Sequence, residues 1–439
     1  MTEEPAMTMS SSTSLRMVST GERREILRAN PLLQIYPTRP TAGEAEAELR
    51  ERGVEVTKET RSLSGTEKVG LLNRIDMHFD ATPLEQALHC DFYDAVRITW
   101  AKINPLSPEN VARFRSFGDA IKAGNPQLMP VATRKGTGYL LRCVAQSGGL
   151  RFIERTTQIL GSSMRTLPLD DENFIPFWPT MVVHWPACGT LDQFEANFVS
   201  VFDGGAGNGQ YFRTVFRATA KRATRPIYVT ALAAIANVGI LFVVGASSST
   251  FHEEKSRKIL DFLEEFMRRT GIAVVFVCTA PVYEKLVYMG TVCSSLTNGA
   301  LEEIQWLDTD SKFFHTMNLN LLNQSLQWET YDTVPGGLLE AAASCTHGSR
   351  EALNSFYRNL HIAAVRAKAR HPSEQLIEGV VRAFVKQTDQ LQRVAGFLGE
   401  FYAKQKERSG KNGPVRLPNG RVWQDFLSME TLEMMGHAT

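Results

Sequence analysis

The sequence has no charge excess, no paired cysteines, no long apolar run, and no lysine after its most suggestive glycines. Its 48 Lys and Arg balance 47 Asp and Glu to a formal net charge of +1. An overall basic chain built for nucleic acid is thereby excluded, while local basic patches stay open. The six cysteines are Cys90, Cys143, Cys188, Cys278, Cys293 and Cys345. They form no C-x-x-C pair and stand at no zinc spacing with histidine. Several lie in apolar runs, as small buried hydrophobes do. A reducing cytoplasm is the simplest expectation. The longest apolar run, about 235–246, is too short to span a bilayer and reads as a buried strand. The opening stretch "MTEEPAMTMSSSTSLRMVST" lacks the basic and apolar regions of a secretory signal. No membrane partner is expected.

What is present is a globular composition, 43% hydrophobic and 22% charged over 439 residues, enough for two to three domains. Four regions are expected. Residues 1–80 form an N-terminal extension, partly disordered, with residues 1–20 rich in Ser, Thr and Met. Residues 81–310 form an α/β core with a helical lead-in. Residues 311–408 form a helical lid domain, and 409–439 a tail with a short helix around Trp423 and Phe426 that suits docking on a partner. In the lead-in, Ser107 is placed to cap a helix, Pro108 to start it and Gly124 to stop it. Strands are expected at 139–145, 180–185, 239–246 and 272–279. Between them lie helices at 152–160, 190–202, 211–222, 227–237 and 254–270. That alternation, with near-continuously apolar strands, predicts an α/β parallel sheet covered on both faces. After about 310 only helices are expected: 311–327, 337–345, 349–369 and 374–407.

The stretch "VAQSGGLRFIERTTQIL" (144–160) lies between a strand and a helix, where a phosphate loop would lie. Such a loop needs glycines so that backbone N–H groups wrap the phosphates, a Lys for the β/γ-phosphates and a hydroxyl for magnesium. The context is present and the contents are mostly missing. Ser147, Gly148 and Gly149 remain, but Arg151 stands for Lys and Phe152 for the hydroxyl. The planar guanidinium does not reproduce a lysine's point charge, and a phenyl ring cannot ligate a metal. The strand "GILFVVGASSS" ends in Gly245-Ala246, where an NTPase of this class would carry carboxylates that order magnesium and activate water. Two other glycine clusters, 135–141 and 203–212, read as turns.

In this order the segments resemble the TniB/TnsC family of AAA+ proteins, target-selecting regulators of heteromeric DNA transposons. The resemblance runs from "INPLSPENVARF" through "YLLRCVAQSGGLRFIERTTQIL", "MVVHWPACGTLDQFEANFVSVFD" and "VGILFVVGASSSTF" to "KILDFLEEFMRRTGIAVVFVCTAP". It covers about residues 85–370. It implies an AAA+ P-loop-type sheet followed by an all-helical domain. It also implies degenerate Walker A and Walker B motifs, because the family's Asp and Glu fall on Gly245 and Ala246. The polar residue of the family's sensor strand falls on Thr279. The family's basic segment after that strand reads here "MGTVCSSLTNGALEEIQW", with no Arg or Lys.

The expectation that follows is a catalytically inactive regulatory or scaffold subunit associated with DNA transposition, with no cofactor. Its partners would be a transposase or target-site protein, an active AAA+ paralogue, or double-stranded DNA. One alternative is an ATP-dependent, DNA-binding transposition regulator that holds ATP and magnesium weakly. Another is a regulatory or defence module outside transposition. Arg213, Arg217, Lys221, Arg222 and Arg225 recur at roughly helical spacing, as a DNA-tracking face or a solvated one. Arg151 reads as residual phosphate or partner contact, or as a salt-bridged helix-start cation. Thr279 reads as a remnant sensor or a strand cap. Trp178, Trp185, Trp306 and Trp328 are expected in cores or at domain junctions. His184 and His252 stand alone, without ligand neighbours.

Overall fold

The computed structural model describes residues 30–171, 173–206, 209–216, 224–287, 289 and 291–408. The expected disorder of residues 1–20 and the tail at 409–439 lie outside them. Helix α1 spans Ala42–Leu49, α2 Pro83–Lys102 and α3 Pro108–Ala123. Strand β1, Gly138–Cys143, leads into α4, Gly149–Leu160. Then come β2 (Arg165–Pro168), β3 (Phe174–His184), α5 (Leu191–Ala206), α6 (Arg225–Ile235), β4 (Val238–Ala246), α7 (Glu253–Thr270), β5 (Ala273–Cys278) and β6 (Ala300–Ile304). From there only helices follow among the described residues: α8 (Lys312–Leu322), α9 (Gly336–Thr346), α10 (Arg350–Ala367) and α11 (Glu374–Arg408). Shorter helices fill the connections.

The strands form one sheet in the order β2-β3-β4-β5-β1-β6. Every pairing is parallel except β2 with β3. Side chains alternate across it as the two-residue period demands. Tyr139, Leu141, Ile240, Phe242 and Val275 face one core, which α2 and α4 close with Phe92, Val96, Phe152 and Ile153. Leu140, Leu241, Val243, Val274 and Phe276 face the other, closed by α5, α6 and α7 with Phe194, Phe198, Val229, Leu263 and Phe266. Each wholly buried Phe or Leu contributes about 1.5–3 kcal/mol relative to exposure. The architecture is therefore the expected one: an α/β sheet with helices on both faces, followed by an all-helical region. The sheet is mixed rather than wholly parallel.

Local signals hold where their chemistry is explicit. Ser107 Oγ accepts the Asn110 N–H at 3.2 Å, Pro108 opens α3, and Gly124 ends it at φ 61°. Strands β2 and β6 were not expected. β2 has four residues and ends in Pro168 at the sheet edge, where a missing N–H is tolerated. β6 is also an edge strand, half exposed, and its "ALEEI" shows no apolar run. Among the described residues of the N-terminal extension, 30–80, several side chains are buried. Leu32, Leu49 and Phe79 enter the core under α2. Val54, Leu72 and Ile75 enter a third core with Phe314, Leu321, Leu338, Phe356 and Tyr357 of the helical region. Val144 and Trp306, from the ends of β1 and β6, join that core as well. Trp178, Trp185, Trp306 and Trp328 are all buried, as expected.

Candidate functional site

The chain leaves β1 through α4 to the far side of the sheet and returns to place β6 on β1's other flank. In open α/β sheets the crevice at such a reversal, outside the carboxyl ends of the strands, is where ligands sit. The loop 144–148 lies there. Gln146 and Gly148 are left-handed, at φ 59° and 82°, and Gly148 is the N-cap of α4 without a side-chain capping bond. The first N–H groups of such a helix start have no intrahelical acceptor and favour negative charge.

The loop's carbonyls are engaged from the opposite side. Trp306 Nε1 donates to the Ala145 oxygen at 2.8 Å, Ser349 Oγ to Gln146 at 3.0 Å, and Arg350 Nε to Ser147 at 2.5 Å. Ser349 also caps α10 through the Ala352 N–H, which fixes the residue after it at the helix start. Arg350 is the centre of the arrangement. Its two terminal nitrogens reach Glu85 at 2.8 and 2.5 Å, and one also meets the Asp80 carbonyl at 3.4 Å. Its guanidinium lies over the Phe79 ring, 5.2 Å from the centroid. The side chains of Arg350 and Glu85 are 3% and 0% exposed. Glu85 is itself held by the start of α2, where the Thr82 N–H donates to it at 2.8 Å. Two cavities, of about 470 and 390 Å³, both have Arg350 in their wall, and the smaller one also takes in Gly148, Leu150 and Arg151.

The residues singled out from sequence take different places. Gly148 is pressed against Arg350: a Cβ there would lie 3.0 Å from its Nε. Gly149 is equally confined, with Cys143 Sγ 2.6 Å from a Cβ built on it. Ser147 is wholly buried and its Oγ has no hydrogen-bond partner. Arg151 turns toward the N-terminal extension and pairs with Glu51 at 2.6 Å and Glu154 at 3.0 Å. That is the salt-bridged reading of this residue. Phe152 is 0% exposed and packs 6.3 Å, centroid to centroid, from Phe92. It belongs to the core beneath the sheet, and Leu150 is 53% exposed. Phe152 does not reach the crevice, whereas Leu150 lines the 390 Å³ cavity beside Gly148. The helix turn at Gly149 points Phe152 inward, and Arg350 is the side chain beside the loop.

At the end of β4, Gly245 is exposed and left-handed at φ 88°. A carboxylate-bearing residue there would be strained. Ala246 is buried and its carbonyl accepts the Thr279 N–H at 3.2 Å. The Thr279 carbonyl accepts from Val282 and Tyr283, so the residue caps the helix Ala280–Val287. Its Oγ1 is buried and without a hydrogen-bond partner. Two acids near the loop are met by an arginine: Glu85 by Arg350, and Glu303 by Arg142 at 3.4 Å. Among the described residues no three of His, Cys, Asp and Glu form a metal-holding group, and no helix is long and apolar enough to cross a membrane.

Of the candidate DNA-binding residues, Arg217, Lys221 and Arg222 lie outside the described residues. Arg213 is exposed. Arg225 lies over Phe216, 4.7 Å from the centroid, and 3.7 Å from Asp192. Packed and paired in this way, Arg225 offers less to a phosphate than its spacing suggests.

No family model and no curated protein matches the sequence. The chain is similar in structure to the Thermotoga maritima RuvB Holliday junction branch migration motor, at 11% identity and a TM-score of 0.35. That match covers 76% of this chain and 96% of the other. It is also similar to the Aeropyrum pernix ORC2 protein in its ADPNP–ADP complexes, at 12% identity and a TM-score of 0.36. There the shares are 75% and 81%.

Sequence reasoning missed Arg350 and Glu85. Their signals are local only. Thr82-x-x-Glu85 is a capping box, and Ser349 ahead of an apolar-periodic run is an N-cap. Nothing in either spacing announces a pairing across 265 positions.

Proposed function

We propose that this chain is a catalytically silent AAA+-type regulatory or scaffold subunit, in which the phosphate loop has become a joint between the α/β sheet and the helical region. The observation that carries this reading is the donor set on the loop. Three successive carbonyls are held by Trp306, Ser349 and Arg350. The cation beside Gly148 is already neutralised by the buried carboxylate of Glu85. A magnesium nucleotide fits these residues poorly. No lysine or hydroxyl follows the glycines, no carboxylate ends β4, and Arg350 would have to leave Glu85 to reach a phosphate.

The resemblance set out above supports a place beside DNA transposition, with a transposase, a target-site protein or an active paralogue as partner. An ATPase assay of the purified chain tests the silent reading. We expect no phosphate release above background, since losing one charge-stabilising group alone typically costs about 10²–10³ in rate. Steady release that is lost in the Arg350→Ala variant would overturn it. A second reading, weak ATP binding without hydrolysis, draws on the helix start that has no side-chain cap and on the unpartnered Ser147 Oγ. Calorimetry separates the two.

A further inference from the structure

We propose that a second cleft, between the N-terminal extension and the helical region, binds a small phosphorylated molecule that also carries hydroxyl or amino groups. The inference does not rest on the reading of the loop.

The cleft has a volume of about 630 Å³, within the range of sites for small organic ligands. Its rim carries Arg50, Arg52, Lys58 and Arg61, against the acids Glu55 and Asp80. Arg50 is occupied: it pairs with Glu46 and lies 3.4 Å from Asp80. Among the described residues Arg52, Lys58 and Arg61 have no ion-pair partner. Three uncompensated cations on one rim are the complement of a phosphate ester.

The floor has a different character. His78 and Asp80 are 3% and 6% exposed. The Val54 N–H donates to Gln324 Oε1 at 2.9 Å, which fixes that amide's orientation. Gln324 Nε2 then donates to His78 Nδ1 at 2.9 Å, and His78 Nε2 donates to Asp80 Oδ2 at 3.0 Å. Asn320 donates to the same oxygen at 2.9 Å. Asp80 Oδ1 receives no hydrogen bond, although Arg50 Nε lies 3.4 Å from it. A buried acceptor without a donor is costly, and a ligand hydroxyl or amine would supply one. Charge at the rim and an open acceptor at depth select a molecule with phosphate at one end and donors at the other. A nucleic-acid strand would instead track an open groove with stacking rings along it.

The walls come from two parts of the chain, residues 50–61 and residues 316–330. A ligand would therefore tie the extension to the helical region. It would do so beside Asp80, whose carbonyl also meets Arg350.

The test is calorimetric titration of the full chain with AMP and with ribose 5-phosphate, and with adenosine as the phosphate-free control. We expect saturable binding of at least one phosphate ester and none of adenosine. The Arg52→Glu/Lys58→Glu variant, changed only at exposed side chains, should bind at least roughly tenfold more weakly. Leu150→Asp, which places a negative charge at the α4 start, should bind as the parent does. Three results would overturn the proposal: no saturable heat from either ester, binding lost in Leu150→Asp but kept in the rim variant, or displacement of the ester by a tighter-binding single-stranded oligonucleotide.

Discussion

Removing one side of the Arg350–Glu85 pair should open the loop joint, and the two sides should not be equivalent. With the side chains 3% and 0% exposed, a lone partner is left charged in a dry site. Breaking such a pair costs about 3–5 kcal/mol. Glu85→Gln is the cleaner variant, because a glutamine at this position of a capping box can still accept from the Thr82 N–H. It leaves the guanidinium still bonded to the Ser147 carbonyl, whereas Arg350→Ala removes that loop contact as well and should open the loop further. Replacing both by methionine should restore most of the loss, since an apolar pair of similar volume is often neutral. Hydrogen exchange of peptides spanning 144–152 is the assay, because a chain of several cores need not unfold in one step. A loss of about 3–5 kcal/mol in local opening corresponds to roughly 10²–10⁴-fold faster exchange. Unchanged exchange in Glu85→Gln, or a double variant as mobile as the two single losses summed, would refute the reasoning.

Other outcomes follow from single features. Gly148→Ala places a Cβ against Arg350 at a left-handed φ of 82°; it should cost about 1–2 kcal/mol, read as a lower urea midpoint. Arg151→Ala breaks pairs that are part-exposed, and its loss should stay within about 1 kcal/mol. Burial pushes His361 down to about 4, even though it is hydrogen-bonded to the Leu321 carbonyl, and its Nδ1 has no partner. Between that value and the ordinary 6.5 the unfolded chain binds a proton that the folded chain does not. Stability should therefore rise with pH across the window and fall by about 3 kcal/mol as pH drops from about 6.5 to about 4. Urea midpoints at pH 7 and pH 5 check this, and His361→Leu should flatten that part of the profile.

The sheet was legible in the sequence because its strands are apolar on both faces and its helices have strong caps and stops. Ser107, Pro108 and Gly124 act through neighbours three or four residues away, so their roles can be read locally. β2 and β6 were not legible: edge strands half exposed to water need no apolar run. The loop's position was legible from strand, glycines and helix, whereas its present use was not. That use depends on Trp306, which reaches the loop through the pairing of β6 with β1, and on Arg350, which reaches it from the start of α10 in the helical region. Arg151 shows the same limit from the other side. A cation after a glycine pair suggests phosphate, but Glu51, a hundred positions earlier, takes it.

Calorimetric titration of the purified chain with ATP and magnesium tests the central claim most directly, with sizing chromatography beside it. Millimolar affinity already requires about 4 kcal/mol, and an exposed helix start contributes only about 0.3–1 kcal/mol per interaction. With Arg350 committed to Glu85, the account predicts a dissociation constant no tighter than about a millimolar and the same elution volume with and without nucleotide. A micromolar, magnesium-dependent dissociation constant, or oligomers that form only with ATP, would contradict it.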